Sequence, residues 1–368
     1  MKTISRDCHI PGLLIILVLF FVISGCSKTT DAVIAGQENV SEAQAASAAF
    51  GPFVQINLNA NKPGYNAPRI NPKLHNAWGL SASPGGTFWI SAADGGVSFV
   101  YNNKGAPKFP AVNIPSHIAG APGNPTGQIF NPTPDFEIPG TGSTAKFIFA
   151  SEDGTISAWN GGATALLVAD QSAAGAKYTG IAIANDGGTN FLYVANFTQG
   201  KVDVYDTNFG WVSGKPFTDP NMPEGYAPFN IRTIDNFLFI TYAIVTEDGE
   251  DSTGAGLGFV DVFLPDGTLK GRFASQGTLN APWGISPASP ALIGMSGVLI
   301  GNFGDGHINV YDWSGNFKGQ LMTQNGPVAI EGLWAIDNTI ANTSSKQLYF
   351  TAGPEDEEDG IFGFLLRK

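Results

Sequence analysis

The chain has 368 residues, of which 43% are hydrophobic and 14% charged, with a formal net charge of −12, 47 glycines and 24 prolines. The apolar content excludes a disordered chain, and the lack of a strict glycine period excludes a collagen-like one. The acidity argues against a nucleic-acid partner, whose phosphates call for basic surface.

The first segment reads as a targeting sequence. Lys2 and Arg6 precede an unbroken apolar run of 11 residues, Leu13 to Ile23, followed by Ser24, Gly25 and Cys26. The run is too short for a spanning helix, which needs about 20 residues. Ile23-Ser24-Gly25-Cys26 resembles a bacterial lipobox. On this reading residues 1–25 are a lipoprotein signal peptide, and Cys26 takes lipid and anchors the protein to the extracytoplasmic side of a bacterial membrane, in the cell envelope. Loss of Lys2, Arg6 and Asp7 with the signal would take the net charge from −12 to −13. Cys8 and Cys26 are the only cysteines, so the rest of the chain has neither a disulfide nor a cysteine-based zinc site. Residues 26–50, rich in Ala, Ser and Gln, read as a flexible tether.

From residue 51 onward the chain repeats itself. Phe53 to Leu58 alternates as a strand. Then Trp78-Gly79-Leu80 opens a unit of short apolar strands broken by an Asp94-Gly95-Gly96 turn. Related units open at Gly127, Gly180, Phe229, Trp283 and Trp334, giving spacings of 49, 53, 49, 54 and 51 residues. A period near 50 with about four strands per unit predicts an all-β, six-bladed β-propeller over residues 51–368. The early strand at Phe53 predicts closure, by pairing with the last blade near Ile361 to Leu366, so that no open edge remains. The Asp-Gly turns follow from the positive φ of tight hairpins. The recurring Trp78, Trp283 and Trp334 are expected to pack between sheets, and Asp203 and Asp261 to make surface or blade-edge contacts.

Asn76-Ala-Trp-Gly-Leu80, Glu152-Asp153-Gly154, Ala195-Asn196-Phe197, Asn280-Ala-Pro-Trp-Gly284, Gly301-Asn302-Phe303-Gly304-Asp305-Gly306 and Thr351-Ala352-Gly353-Pro354 together resemble an uncharacterised family of exported bacterial propeller proteins, some of them exosortase-sorted. More distantly the repeats are similar to NHL-type and lactonase-type six-bladed propellers. The first resemblance implies fold and export but no reaction, and the second transfers no catalytic residue.

The residues themselves give no His-Glu-x-x-His, Gly-x-Ser-x-Gly, P-loop or Cys-x-x-Cys pattern, so catalytic residues stay unassigned. Asn76, Asn230, Asn280 and Glu331 lie at or just before the inner strands, where blades converge. Three amides and a carboxylate are hard oxygen donors, and a calcium ion in the central channel is the metal site they would form. His75, Glu152, Asp153 and Asp305 fall in turns on one rim and are candidates for a pocket there. The Glu355–Asp359 acidic run reads as a solvated face. The expected function is a lipid-anchored binding or interaction module in the cell envelope, whose partner is an envelope protein, a glycan or a small molecule. The alternative is a calcium-dependent, lactonase-like hydrolase with the ion in the channel.

Overall fold

The computed structural model describes residues 50–368, and the signal peptide, Cys26 and the tether through residue 49 lie outside the described residues. Six antiparallel sheets stand around an axis, so the fold is all-β and a six-bladed propeller. Blade 1 runs from its inner strand Ala77–Ala82 through Phe88–Ala92 and Val97–Tyr101 to Pro107–Asn113. Blade 2 uses Pro125–Phe130, Phe147–Ser151, Thr155–Trp159 and Leu166–Asp170, and blade 3 Tyr178–Asp186, Thr189–Asn196, Lys201–Tyr205 and Trp211–Val212. Blade 4 uses Tyr226–Ile234, Phe237–Val245, Phe259–Phe263 and Leu269–Ser275, with the short strand Asp251–Ser252 paired to Ile244 and Val245. Blade 5 uses Pro282–Ala288, Gly297–Asn302, Ile308–Tyr311 and Phe317–Gln320.

Blade 6 is assembled from both ends of the described chain. Its inner three strands are Leu333–Asp337, Gln347–Ala352 and Ile361–Arg367, and Phe53–Ala60 supplies the fourth. Phe53 pairs with Arg367 and Ala60 with Ile361, antiparallel as the sequence predicts. The following loop is pinned to the same blade: Asp359 accepts from Asn61 Nδ2 at 2.7 Å and from the Tyr65 hydroxyl, and pairs with Lys62 at 2.7 Å. The acidic run is therefore not solvated throughout, since Asp359 is buried.

The repeated Trp-Gly pair has a packing cause. Inner strands crowd at the axis, so a Cβ on Gly79 would lie 2.2 Å from the Thr126 carbonyl oxygen, and one on Gly127 would lie 2.8 Å from the Gly180 Cα. Contacts that short do not occur, so only glycine lets neighbouring inner strands approach this closely. The preceding residue points its side chain at the axis. The tryptophans are buried as expected, but they meet one another across the axis instead of packing between sheets. Trp78 and Trp334 stack with centroids 3.7 Å apart, and Trp283 stands edge-on to Trp334 at 5.8 Å.

Asp203 and Asp261 also depart from expectation. Both are buried inside third strands. Asp203 accepts from Asn196 Nδ2 at 2.7 Å and the Tyr178 hydroxyl at 3.0 Å, and Asp261 pairs with Arg272 from the fourth strand. A period-2 strand hides alternate side chains against the next blade, and here the hidden position is polar because the adjoining strand brings donors to it.

Candidate functional site

The two ends of the axis form two sites. At the end where the inner strands finish, a cavity of about 310 Å³ is lined by all six of them, which places it on the axis. Its walls mix aliphatic side chains, Leu80, Ile181, Ile231, Ile285 and Ile336, with the polar Gln128, Asn230, Arg232 and Asp337, and Trp283 borders it toward the opposite end. Arg232 of blade 4 reaches toward blades 5 and 6 at its wall. It donates to the Ile285 carbonyl at 2.9 Å and to Asp337 Oδ2 at 2.9 Å. The Oγ of Ser81, also in the lining, is buried with no partner among the protein atoms. A concave chamber of this size, with aliphatic walls and fixed polar groups side by side, is suited to a small amphipathic ligand.

The other end, where the inner strands begin, is closed. Trp78, Phe229, Trp283 and Trp334 occupy one layer there, and Phe303 stacks on Trp334 at 4.1 Å. Blades 2 and 3 have Thr126 and Thr179 at the equivalent position. Trp283 Nε1 donates to the Thr179 carbonyl at 3.1 Å, and Trp334 Nε1 to Asn76 Oδ1 at 2.8 Å.

Above this layer lie loops between second and third strands, and they carry acids. Lys177 binds Glu152 at 3.1 Å and Glu250 at 2.6 Å. Glu357 accepts from Asn76 Nδ2 at 2.5 Å. Burial, then the neighbouring Glu152, push the Glu357 carboxyl up to about 7, and burial pushes Asp251 up to about 6. Burial raises Glu152 as well, against the pull of Lys177. Groups held near neutrality in this way are frequent at functional sites.

Of the residues selected from sequence, Asn76 and Glu152 sit at this closed end. Asn76 joins the tryptophan layer to Glu357. Asn230 Nδ2 donates to the Trp283 carbonyl at 2.7 Å, Asn280 Oδ1 accepts from the Gly254 amide at 2.6 Å, and Glu331 Oε1 accepts from the Glu355 amide at 3.1 Å. Each of the four thus has its own partner, and among the described residues no hydrogen bond joins one of them to another. His75 donates from Nδ1 to the Glu358 carbonyl at 2.5 Å. Asp153 holds its own turn through Thr155 and accepts from Ser116 at 2.8 Å, and Asp305 accepts from the His307 amide at 3.0 Å. Asp251, Lys177 and Arg232 were not selected from sequence, and Glu357 entered only as part of the Glu355–Asp359 run read as a solvated face. They sit in loops and at a strand end whose lengths differ from blade to blade, so no motif marks them.

No family model matches the chain. Among solved structures, a streptogramin B lyase aligns over 86% of this chain and 98% of its own, at TM-score 0.51 and 13% identity. A Bacteroides thetaiotaomicron protein of unknown function aligns over 85% of this chain and 76% of its own, at TM-score 0.53 and 10% identity. At such identities the likeness shows the fold alone. Among curated sequences, an uncharacterised protein of Acanthamoeba polyphaga mimivirus is 32% identical over 330 residues, covering 85% of this chain and 80% of its own. A second from the same virus is 32% identical over 320 residues, covering 82% of each. These relatives are viral, whereas the motifs had pointed to bacterial ones. By identity and coverage, the chain belongs to the family of these uncharacterised mimivirus proteins.

Proposed function

We propose that the protein is a binding module that takes a small ligand, apolar along its body and polar at one end, into the axial cavity. The observation that carries this reading is the chamber of about 310 Å³ lined by every inner strand. A ligand there would bury its apolar surface against the isoleucines, at roughly 25 cal/mol per Å². Its polar end would meet the exposed edge of Arg232. The probe is 8-anilinonaphthalene-1-sulfonate, which has that shape. Its fluorescence should rise on mixing with the full-length protein, and Arg232→Met, which removes the cation that would meet the sulfonate, should largely remove the rise. Equal fluorescence with both proteins would sink the reading.

Attachment to a membrane through Cys26 belongs to the same proposal. It predicts that Cys26→Ser moves the protein from the membrane to the soluble fraction of the producing cell, and an unchanged distribution would reject it. The partner would then be an envelope protein, a glycan or a small molecule.

The calcium-dependent hydrolase is a second reading. In its favour, burial pushes the Glu357 carboxyl at the closed end up to about 7, a range in which proton transfer is efficient. Against it, Asn76, Asn230, Asn280 and Glu331 are each engaged with a separate protein partner. Calcium held by Asn76, Asn230, Asn280 and Glu331 would raise the melting temperature by mass action, and Glu331→Gln would remove that rise. A melting temperature indifferent to calcium and to chelator would dismiss it.

A further inference from the structure

The seams between blades are closed unequally where the third strand of a blade turns into the fourth. In blade 3 this turn is residues 206–210, with Asp206 Oδ1 accepting from the amides of Asn208 and Gly210 at 2.8 Å each. Blade 5 repeats it at residues 312–316, with Asp312 Oδ1 accepting from the Ser314 and Asn316 amides at 2.9 and 3.0 Å. The fourth residue has positive φ in both, 62° at Phe209 and 81° at Gly315. Phe209 is buried and meets Phe136 of blade 2 with ring centroids 5.7 Å apart. The seam between blades 3 and 4 is filled as well, by Phe217 against Tyr193 and Phe263. Gly315 has no side chain to insert. Its backbone rests on Phe273, where a Cβ would lie 2.1 Å from the carbonyl oxygen.

The seam between blades 4 and 5 keeps a cavity of about 330 Å³. Its floor is aromatic: Phe239 and Phe273 stand edge-on at 5.3 Å, and Phe237 is half-buried beside them. Trp313 forms one wall and is 45% exposed. The rim carries Asp235, Lys270 and Ser314, all exposed. Lys270 Nζ lies 6.0 Å from the Phe237 ring centroid. Among the described residues, none of these three side chains makes a hydrogen bond or an ion pair. Arg272, also in the lining, is already paired with Asp219 and Asp261.

We propose that this cleft is a carbohydrate site, separate from the axial cavity, in which a pyranose ring of an uncharged glycan stacks on Trp313. The face of an indole is the negative part of its quadrupole, and the C–H face of a sugar ring meets it favourably. Lys270 offers donors only, Asp235 acceptors only, and Ser314 both. Sugar hydroxyls donate and accept, so one ligand answers all three. The two unpaired charges of the rim cancel, and the whole chain carries −12, so an anionic ligand has no net attraction to the cleft. A wholly apolar ligand would forgo all three rim groups.

The test is calorimetric titration of the full-length protein with cellotetraose, maltotetraose, mannotetraose and chitotetraose, set beside tetragalacturonate and 4-methylcyclohexanol. At least one neutral tetraose should bind, more tightly than the acidic tetraose and the apolar ring. Trp313→Ala should weaken it about tenfold or more, the loss of one stacking contact. Asp235→Ala and Lys270→Met should each weaken it by a smaller factor. Phe317→Ala, which removes an exposed aromatic of the same hairpin outside the cavity lining, should leave it unchanged. Melting curves would show which variants are folded. Binding of no neutral tetraose, binding indifferent to Trp313→Ala, or equal binding of 4-methylcyclohexanol or tetragalacturonate would each overturn the proposal. Arg232→Met, which tests the axial cavity, should leave the sugar titration untouched, so the two readings fail separately.

Discussion

Where the inner strands begin, Trp78, Phe229, Trp283 and Trp334 fill the axis; a few residues further on, the same strands carry Leu80, Ile231, Ile285 and Ile336 and leave a chamber. The side chains differ in reach between the two layers. Indole rings meet across the axis, and branched aliphatic chains do not. One end of a propeller can thus be sealed by a single repeated residue type while the other stays open.

The strongest way to break this contrast is at the sealed end. Trp334 is fully buried and touches Trp78, Trp283, Phe229 and Phe303. Trp334→Ala should cost about 3–5 kcal/mol in urea denaturation, the usual range for emptying a large aromatic site. A loss below about 1 kcal/mol would mean that the layer relaxes to fill the gap, and that the seal is not rigid.

The acids above that layer predict a dependence on pH. Glu357 and Asp251 titrate up to about 7 and about 6 in the folded protein, against 4.5 and 3.8 as ordinary values. The folded state therefore binds more protons than the unfolded chain between those limits. Stability from these groups is present in acid, falls as pH rises through that window, and is flat above it. The melting temperature of Glu357→Gln should fall less than that of the parent between pH 5 and pH 8. Identical profiles would show that Glu357 is not buried by its neighbours.

The open end should respond less. Arg232 is partly solvated but Asp337 is buried, so Arg232→Met, which leaves that carboxylate without its cation, should cost about 1–3 kcal/mol. It should nevertheless weaken an anionic ligand of the cavity such as the naphthalene sulfonate. Smallest of all, Glu358→Gln should change stability by no more than about 0.5 kcal/mol, as exposed substitutions do. A larger loss would bring that acid into the structured rim.

Much of the architecture was legible in the residues. The spacing of Trp78, Gly127, Gly180, Phe229, Trp283 and Trp334 reports blade number, because each blade must return one strand to the axis. The strand at Phe53, ahead of the first repeat, reports closure, because an unpaired edge would otherwise remain. Asn76 and Glu152 could be selected because they flank repeated motifs. The tertiary structure alone decided which acids become electrostatic neighbours. Glu152, Asp251 and Glu357 are separated by 99 and 106 residues and sit in loops of unequal length, so no local pattern relates them. It also decided that Asp203 and Asp261 are buried, since the donors that make this tolerable come from neighbouring strands. Periodicity is a property of the chain and can be read along it; convergence on an axis is a property of the closed disc, and arises only once the last blade has paired with the first strand.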